Sequence, residues 1–236
     1  MSRQTKDQVF TQVAAVAQAL ANPHRLELLD LLIQGPRSVE QLAEASAQSL
    51  ANASQHLQRL KRVGLVVGDR QGTTIRYRIT DTVVARLWVA LRTVALKQSA
   101  EVERALEAYR PRRGQFATVS PTELQAGLAS GAMLLLDVRP ALEFAAGHLP
   151  GASSIPLDEL PARLAELPTD GLIVTYCRGP LCVYADEALE QIRASGRRGA
   201  RLEEGVAEWQ LAGYPLEPPA APARDERRQQ QEAGNG

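Results

Sequence analysis

Apolar residues recur every three or four positions over 9–20, which predicts a first helix. Asn22 then stands as an N-cap with Pro23 at the first helical position. Leu26, Leu28, Leu29, Leu32 and Ile33 form the apolar face of a second helix, which Gly35-Pro36 stops. Ser38, with Gln41 three residues on, predicts a capping box for a third helix bearing Val39, Leu42 and Ala43. Ser49 caps a fourth, whose Leu50, Ala53, Leu57 and Leu60 share one side. The pattern then turns extended. Leu65-Val66-Val67 and Ile75-Arg76-Tyr77-Arg78-Ile79 flank Gly68-Asp69-Arg70-Gln71-Gly72, a β-hairpin with a glycine-bearing turn. Helical spacing resumes over 81–110, a helix about 45 Å long at ~1.5 Å per residue. Leu87, Trp88, Leu91, Val94, Ala95, Val102, Ala105, Leu106 and Tyr109 form its stripe. That stripe is too long for one small domain to cover, so a second copy is expected against it, with the 9–20 helix alongside.

Arg110-Pro111-Arg112-Arg113-Gly114 breaks the helical pattern. Beyond it helices and strands alternate. Ser120-Pro121 opens a helix, 133–138 reads as a buried strand and 140–146 as a helix. His148 lies in a turn between Gly147 and Gly151, and 157–167 is helical. Leu172 to Tyr176 is the next strand, 183–194 a helix, 199–202 a last strand and 206–211 a closing helix. Such alternation predicts a parallel sheet with helices on both faces. Two domains follow. The first, 1–110, is a mainly α winged helix–turn–helix with a β-hairpin wing. A linker, 111–116, leads to an α/β unit over 117–216. The Pro/Ala-rich and then charged segment 217–236 is expected to be disordered.

At 236 residues with 44% hydrophobic positions, the chain can build both cores. With no apolar run of membrane-spanning length and a polar start, it is expected to be cytoplasmic, with no membrane partner. The net charge of zero hides an asymmetry. Residues 1–110 carry 15 Lys/Arg against 10 Asp/Glu, and residues 111–236 carry 12 against 17. Arg59, Lys61, Arg62, Arg70, Arg76 and Arg78 cluster against the single acid Asp69; by charge alone this reads first as a solvated basic face, and it is also what the footprint of a double-stranded DNA partner looks like. On the fourth helix Asn52, Gln55, Arg59 and Arg62 fall opposite the apolar side, with Gln58 beside them and Ser54 and His56 on the flanks. Amide side chains read adenine edges and arginine reads guanine. Arg70, in the hairpin turn, is the expected wing-tip contact.

Both cysteines of the chain, Cys177 and Cys182, lie in one loop between the 172–176 strand and the 183–194 helix. Loop amides and a helix N-terminus converge there and favour an anion, so a thiolate at Cys177 is expected at a depressed pKa. Arg178 is expected to meet an anionic substrate, while Gly179, Pro180 and Leu181 complete the loop. Pro180 withdraws one N–H donor from it. Cys182 reads either as a small apolar residue or as a resolving thiol. Asp137, Arg139 and Glu143 read as structural ion-pairing residues, and His148 as a structural hydrogen-bonder. No metal site and no resident cofactor is expected.

"Asn-Pro-His-Arg-Leu-Glu-Leu-Leu", "Ser-Gln-His-Leu-Gln-Arg-Leu" and "Gly-Leu-Val" with the hairpin resemble the ArsR family of dimeric bacterial repressors over about residues 8–108. Metal-sensing members use cysteines on the third helix or Asp/His pairs on the last, and this chain has neither. "Leu-Leu-Asp-Val-Arg-Pro-Ala-Leu-Glu-Phe-Ala-Ala-Gly-His-Leu-Pro-Gly-Ala", "Tyr-Cys-Arg-Gly" and "Leu-Glu-Glu-Gly-Val-Ala-Glu-Trp" resemble the rhodanese family over 117–216. That resemblance implies Cys177 as a sulfur-carrying nucleophile that becomes a persulfide. Val183 stands where related phosphatases have arginine, and Cys182 where many rhodaneses have Arg, Thr or Ser. The leading expectation is a homodimeric DNA-binding regulator that senses or transfers sulfur from a small sulfur-containing anion or persulfide donor. The alternatives are a sulfurtransferase with a helical dimeriser, and an arsenite- or soft-metal-responsive repressor using the cysteine pair.

Overall fold

The computed structural model describes residues 2–217. Six helices open the chain, with a β-hairpin between the fourth and the fifth. α1 (Arg3–Leu20) is capped by Ser2 and runs six residues further back than the apolar spacing indicates. α2 (Pro23–Ile33) starts as its sequence predicts: Asn22 accepts from the Arg25 amide, and Pro23 fills the first turn. A two-residue strand, β1 (Arg37–Ser38), precedes α3 (Val39–Ala45). The Ser38/Gln41 capping box closes with both bonds present. α4 (Leu50–Arg62) is capped by Ser49. It buries Ala53, Leu57 and Leu60, but Leu50, expected on that side, is 51% exposed in the first turn.

The hairpin is tighter than expected. β2 (Val66–Gln71) and β3 (Thr74–Ile79) pair from Val66↔Ile79 through to Gln71↔Thr74. The residues expected as the turn, Gly68 to Gln71, therefore extend the ladder. Asp69 and Arg78 meet diagonally across it at 3.0 Å, and Gly72, at φ +62, takes the turn instead. β1 joins the outer side of β3, giving a three-stranded wing that the sequence pattern misses. The predicted single helix over 81–110 is two helices, α5 (Thr82–Gln98) and α6 (Ala100–Tyr109). Ser99 is extended there and accepts from the Val102 amide, so a local N-cap competes with helix continuation.

The second half holds a five-stranded parallel sheet. Its strands are β4 (Thr118–Val119), β5 (Met133–Asp137), β6 (Ala152–Ser154), β7 (Leu172–Tyr176) and β8 (Gly199–Leu202), in spatial order β4-β8-β7-β5-β6. The short edge strands β4 and β6 carry no apolar run that would predict them. α7 (Pro121–Ala129), α8 (Ala141–Ala146), α9 (Leu160–Arg163), α10 (Tyr184–Ala194) and α11 (Val206–Leu211) cover the faces. The helix expected over 157–167 shrinks to α9 and a 3₁₀ turn, because Pro161 confines its start to the first turn. Strand residues alternate between two cores. Leu136, Ile173, Cys177 and Cys182 pack with α10, while Leu135, Val174, Tyr176 and Trp209 pack on the opposite face.

The segment 111–116 lies against the second unit. Arg113 pairs with Asp186 and Glu203, Arg112 with Glu190, and Phe116 is buried. Of the tail expected over 217–236, Glu217 pairs with His148, and 218–236 lie outside the described residues. No helix among the described residues is long and apolar enough to cross a membrane.

Tyr176 carries a buried network. Its hydroxyl donates to Asp137 Oδ2 at 2.5 Å and accepts from the Leu149 amide at 3.2 Å. Tyr176→Phe leaves the buried Leu149 amide without its partner and Asp137 with Arg139 alone, and is expected to destabilise the sheet unit by about 1–3 kcal/mol in urea unfolding. A loss below about 0.5 kcal/mol, the ordinary surface range, would contradict this network.

Candidate thiol site and nucleic-acid face

β7 ends at Tyr176, so Cys177 is the first residue past the carboxyl edge of the sheet, and α10 begins seven residues later. The Cys177 sulfur lies near the Cys182 thiol and the backbone N–H groups of Gly179 and Ala185, each of which favours its ionised form. Cys182 folds back through its own amide onto the Gly179 carbonyl at 3.1 Å. Both thiols are free and buried, Cys177 at 3% and Cys182 at 8% exposure. Burial pushes the Cys177 thiol up. The Cys182 thiol, the two amides and the field of Arg113 outweigh that and hold it below its ordinary value. Cys182 moves the opposite way: donating to Cys177, burial and the negative field of its neighbour all raise it well above the thiol range. The two thiols thus titrate as one pair, with the lower affinity for its proton at Cys177 and the higher at Cys182. Two glycines permit this packing. Gly179 sits at φ +110, and a Cβ on Gly205 would lie 2.5 Å from the Arg178 carbonyl carbon.

Arg178 neither faces solvent nor stands free for an anion. Its guanidinium grips Glu143 on α8 in a bidentate pair at 2.5–3.0 Å and stacks over Tyr184. Glu143 is 1% exposed and also holds the Arg37 guanidinium from β1. Nearby, Arg139 pairs with Asp137 and donates to Gln34 Oε1 at 3.1 Å. Leu181 leaves the cysteine loop to pack on the N-terminal core, and Arg110 donates to the Pro180 carbonyl. A second cross-domain ion pair joins Arg92 of α5 to Glu208 of α11. Reading the sequence misses Arg37, Arg92, Arg110 and Arg113 as loop supports. Glu143 is the one legible clue, a lone charge within Ala-Leu-Glu-Phe-Ala-Ala. His148 is a structural hydrogen-bonder as expected, bonded to the Phe144 carbonyl (3.0 Å) and the Glu217 carboxylate (3.1 Å).

Between the cysteine loop and α2, α5 and α6 lies a cleft of about 460 Å³. Cys182 lines it, and Cys177, five residues earlier in the same loop, does not. Among the described residues no group of three or more His, Cys, Asp or Glu is placed to hold a metal ion.

The basic face lies on the opposite side of α4 from its buried residues. Gln55, Arg59 and Arg62 are exposed, as are Lys61 and, beside the wing turn, Arg70. Ser54 is half-buried. Asn52 is half-buried too and donates to Gln48 Oε1 at 3.0 Å, while the Gln58 amide donates to the Tyr77 hydroxyl at 2.9 Å. Arg70 donates to the Gly72 carbonyl at 3.1 Å, holding the tip of the wing. His56 stacks near His24 with centroids 5.6 Å apart, in keeping with a packing role.

A rhodanese-like domain family matches residues 120–212, and a helix-turn-helix domain family matches residues 20–69. Over 90% of its length the chain is 45% identical to the HTH-type transcriptional regulator Rv0324 of Mycobacterium tuberculosis, covering 93% of that protein. Over 37% of its length it is 33% identical to a sulfurtransferase of Allochromatium vinosum, covering 80% of it. Among solved structures, the homodimeric winged helix-turn-helix DNA-binding domain of Mb0332 from Mycobacterium bovis, a possible ArsR-family transcriptional regulator, is 44% identical. That match covers 43% of this chain and 93% of that fragment, with a TM-score of 0.40.

The thiol pair generates a signed expectation. Cys182→Ala removes a donor from the Cys177 thiolate, so the Cys177 pKa rises and less thiolate is present at any given pH. The midpoint of its iodoacetamide alkylation profile is expected to move to higher pH, and Cys182→Ser, which keeps a donor, to stay nearer the wild type. A midpoint that stays put or falls in Cys182→Ala would refute the arrangement.

Proposed function

Because the chain belongs to the ArsR-type helix-turn-helix transcriptional regulators that carry a C-terminal rhodanese domain, we propose that it senses reactive sulfur as a Cys177 persulfide and transmits that event to DNA. The observation that carries this reading is the grip of the helix–turn–helix unit on the cysteine loop. Leu181 packs against the N-terminal core, Arg110 holds Pro180, and Glu143 joins Arg178 to Arg37. An enzyme that used its helical domain only to dimerise would have no need of these contacts. The Cys177 thiolate attacks the outer sulfur of a donor R–S–SH, the S–S bond breaks, and R–S⁻ leaves. Cys182 can then attack the Cys177 sulfur of the persulfide, closing a disulfide and releasing HS⁻. Either product adds bulk or a new bond in a loop with almost no exposed sulfur surface, so the loop must rearrange.

We take 1–110 as the DNA-binding and dimerisation domain, 111–116 as the linker and 117–216 as the sulfur domain. Gln55, Arg59 and Arg62 on α4 are the outward-facing readers. Asn52, Ser54 and Gln58 flank them, and Arg70 reaches the phosphates from the wing. A second copy fits against α1 and α5, because Phe10 and Val13 on α1 and Leu91 and Val94 on α5 are 38–62% exposed.

Three outcomes test this. Leu91→Glu puts a charge into the apolar face and is expected to give a monomer in sedimentation at micromolar concentration, where the wild type sediments as a dimer. Arg59→Ala is expected to lose about 1–3 kcal/mol on a duplex selected by the chain itself and to relax its sequence preference, while Arg70→Ala weakens all duplexes about equally. Excess sodium tetrasulfide is expected to change wild-type affinity for that duplex by about 5–150-fold and to leave Cys177→Ser unaffected. Equal affinity before and after Cys177 persulfidation, verified by mass spectrometry, would make the loop a sulfurtransferase site and not a switch.

A further inference from the structure

The cleft between the two domains has a chemistry that neither domain has alone. One wall is the cysteine loop, with Cys182 at the surface and Tyr184 beside it. The other is helical, with Glu27 and Asp30 from α2, Trp88 from α5 and Tyr109 from α6. Its two carboxylates face one lining cation, Arg178, and that guanidinium is already held by the buried Glu143. Glu27 has no ion-pair partner among the described residues. Asp30 accepts from Trp88 Nε1 at 2.7 Å and has Arg92 only at 3.9 Å, and Arg92 is itself bound to Glu208. Partial burial raises Asp30 from its ordinary value, and Glu27 at the rim is raised in the same direction. The surplus is negative and partly desolvated, next to three aromatic rings. An inorganic sulfur anion gains nothing from such walls, whereas an ammonium gains Coulombic and cation–π attraction.

We propose that this interdomain cleft binds a small aminothiol whose sulfur is carried as a persulfide or disulfide, the ammonium lying against Glu27 and Asp30 and the S–S bond against Cys182, with the Cys177 sulfur next to it in the same loop. The inference rests on the persulfide reading of Cys177 and names its donor class. The reaction balances within the site. The Cys177 thiolate attacks one sulfur of R–S–S–R, a protein–S–S–R bond forms, the original S–S bond breaks, and R–S⁻ leaves with the proton of the Cys182 thiol. With R–S–SH the same displacement at the outer sulfur leaves Cys177 as the persulfide and R–SH as the product. The position of Cys182 follows from this route, since the leaving thiolate departs through the cleft that Cys182 lines. About 460 Å³ holds a molecule of this size with room for water.

The test uses the full chain and three disulfides of matched size: cystamine, neutral hydroxyethyl disulfide and dianionic dithiodipropionate. Mass spectrometry gives the rate of mixed-disulfide formation on the cysteine pair, and each rate is divided by that of the same disulfide with a small reference thiol. Cystamine is expected to exceed dithiodipropionate by about tenfold or more, with the neutral compound between, and Glu27→Gln to shrink that ratio by about threefold. Glu27 is exposed, so the substitution tests charge and not folding. Equal normalised rates, or a faster dianion, overturn the proposal on the wild type alone. A preference for cystamine that Glu27→Gln leaves intact overturns the role of the α2 wall. Tetrasulfide treatment with a DNA-binding readout runs in parallel. If affinity does not respond while cystamine is selected, the sensor reading fails and the cleft assignment stands. If affinity responds and no disulfide is selected, the cleft assignment fails alone.

Discussion

Glu143 lies 1% exposed between two guanidiniums, Arg37 from the wing and Arg178 from the cysteine loop. Taking three charges out of water is costly, and the arrangement is retained only because each has a partner in hydrogen-bonding geometry. Loss of one partner from such a buried set typically costs about 3–5 kcal/mol, because the rest stay buried and unpaired. The two domains therefore cannot separate by small steps along this face. Arg37 is opposite Tyr77 in the β1–β3 ladder, and the Tyr77 hydroxyl holds the Gln58 amide of α4. A displacement at Arg178 thus has a continuous path of packed, hydrogen-bonded groups to the recognition helix.

The same carboxylate explains the character of the thiol site. With Arg178 committed to Glu143, the loop offers the sulfur two amides and a neighbouring thiol but no free guanidinium of its own. Pro180 removes a further donor. What lowers the Cys177 pKa is consequently local: the Cys182 S–H, the amides of Gly179 and Ala185, and Arg113 behind them. An arginine at position 182 would have made an open anion cradle. A cysteine there makes a buried dithiol whose charge is shared between two sulfurs, and whose state is altered by anything that modifies either one.

Features set by neighbouring residues were legible in the sequence. Ser38 with Gln41, Ser49, and Asn22 with Pro23 start their helices as read, because caps act over three or four residues. The strand–loop–helix around Cys177 was legible because an apolar run, a glycine-bearing loop and a helical pattern follow one another. Features that depend on distant partners were not. Arg37 and Glu143 are 106 residues apart, and nothing beside either of them names the other. The same holds for Arg92 with Glu208 and for Arg110 with the Pro180 carbonyl. Edge strands of two or three residues lack a periodicity to read. At Ser99 the apolar stripe continued across a point where the backbone did not, since a serine side chain can claim the next turn's amide without disturbing the spacing of its neighbours.

That break redefines what the last helical segment does. On α5 the inward residues Val84, Ala85, Trp88 and Arg92 are buried, and the outward Val83, Leu87, Leu91 and Val94 are exposed. The inward face bears Trp88, which lines the cleft beside the cysteine loop, and Arg92, which is bound to Glu208 of the rhodanese-like domain. The outward face is the apolar surface on which a second copy is proposed. One helix of 17 residues, nearly five turns, thus faces the cysteine loop on one side and the proposed dimer surface on the other. A helix is stiff across its own diameter, so a shift imposed through Arg92 or Trp88 moves the outward residues with it. In the proposed dimer, where α5 would set the spacing of the two α4 helices, such a shift would change the distance between half-sites. The fusion therefore needs no flexible linker to couple its domains, and 111–116, pinned by Arg112, Arg113 and Phe116, does not supply one.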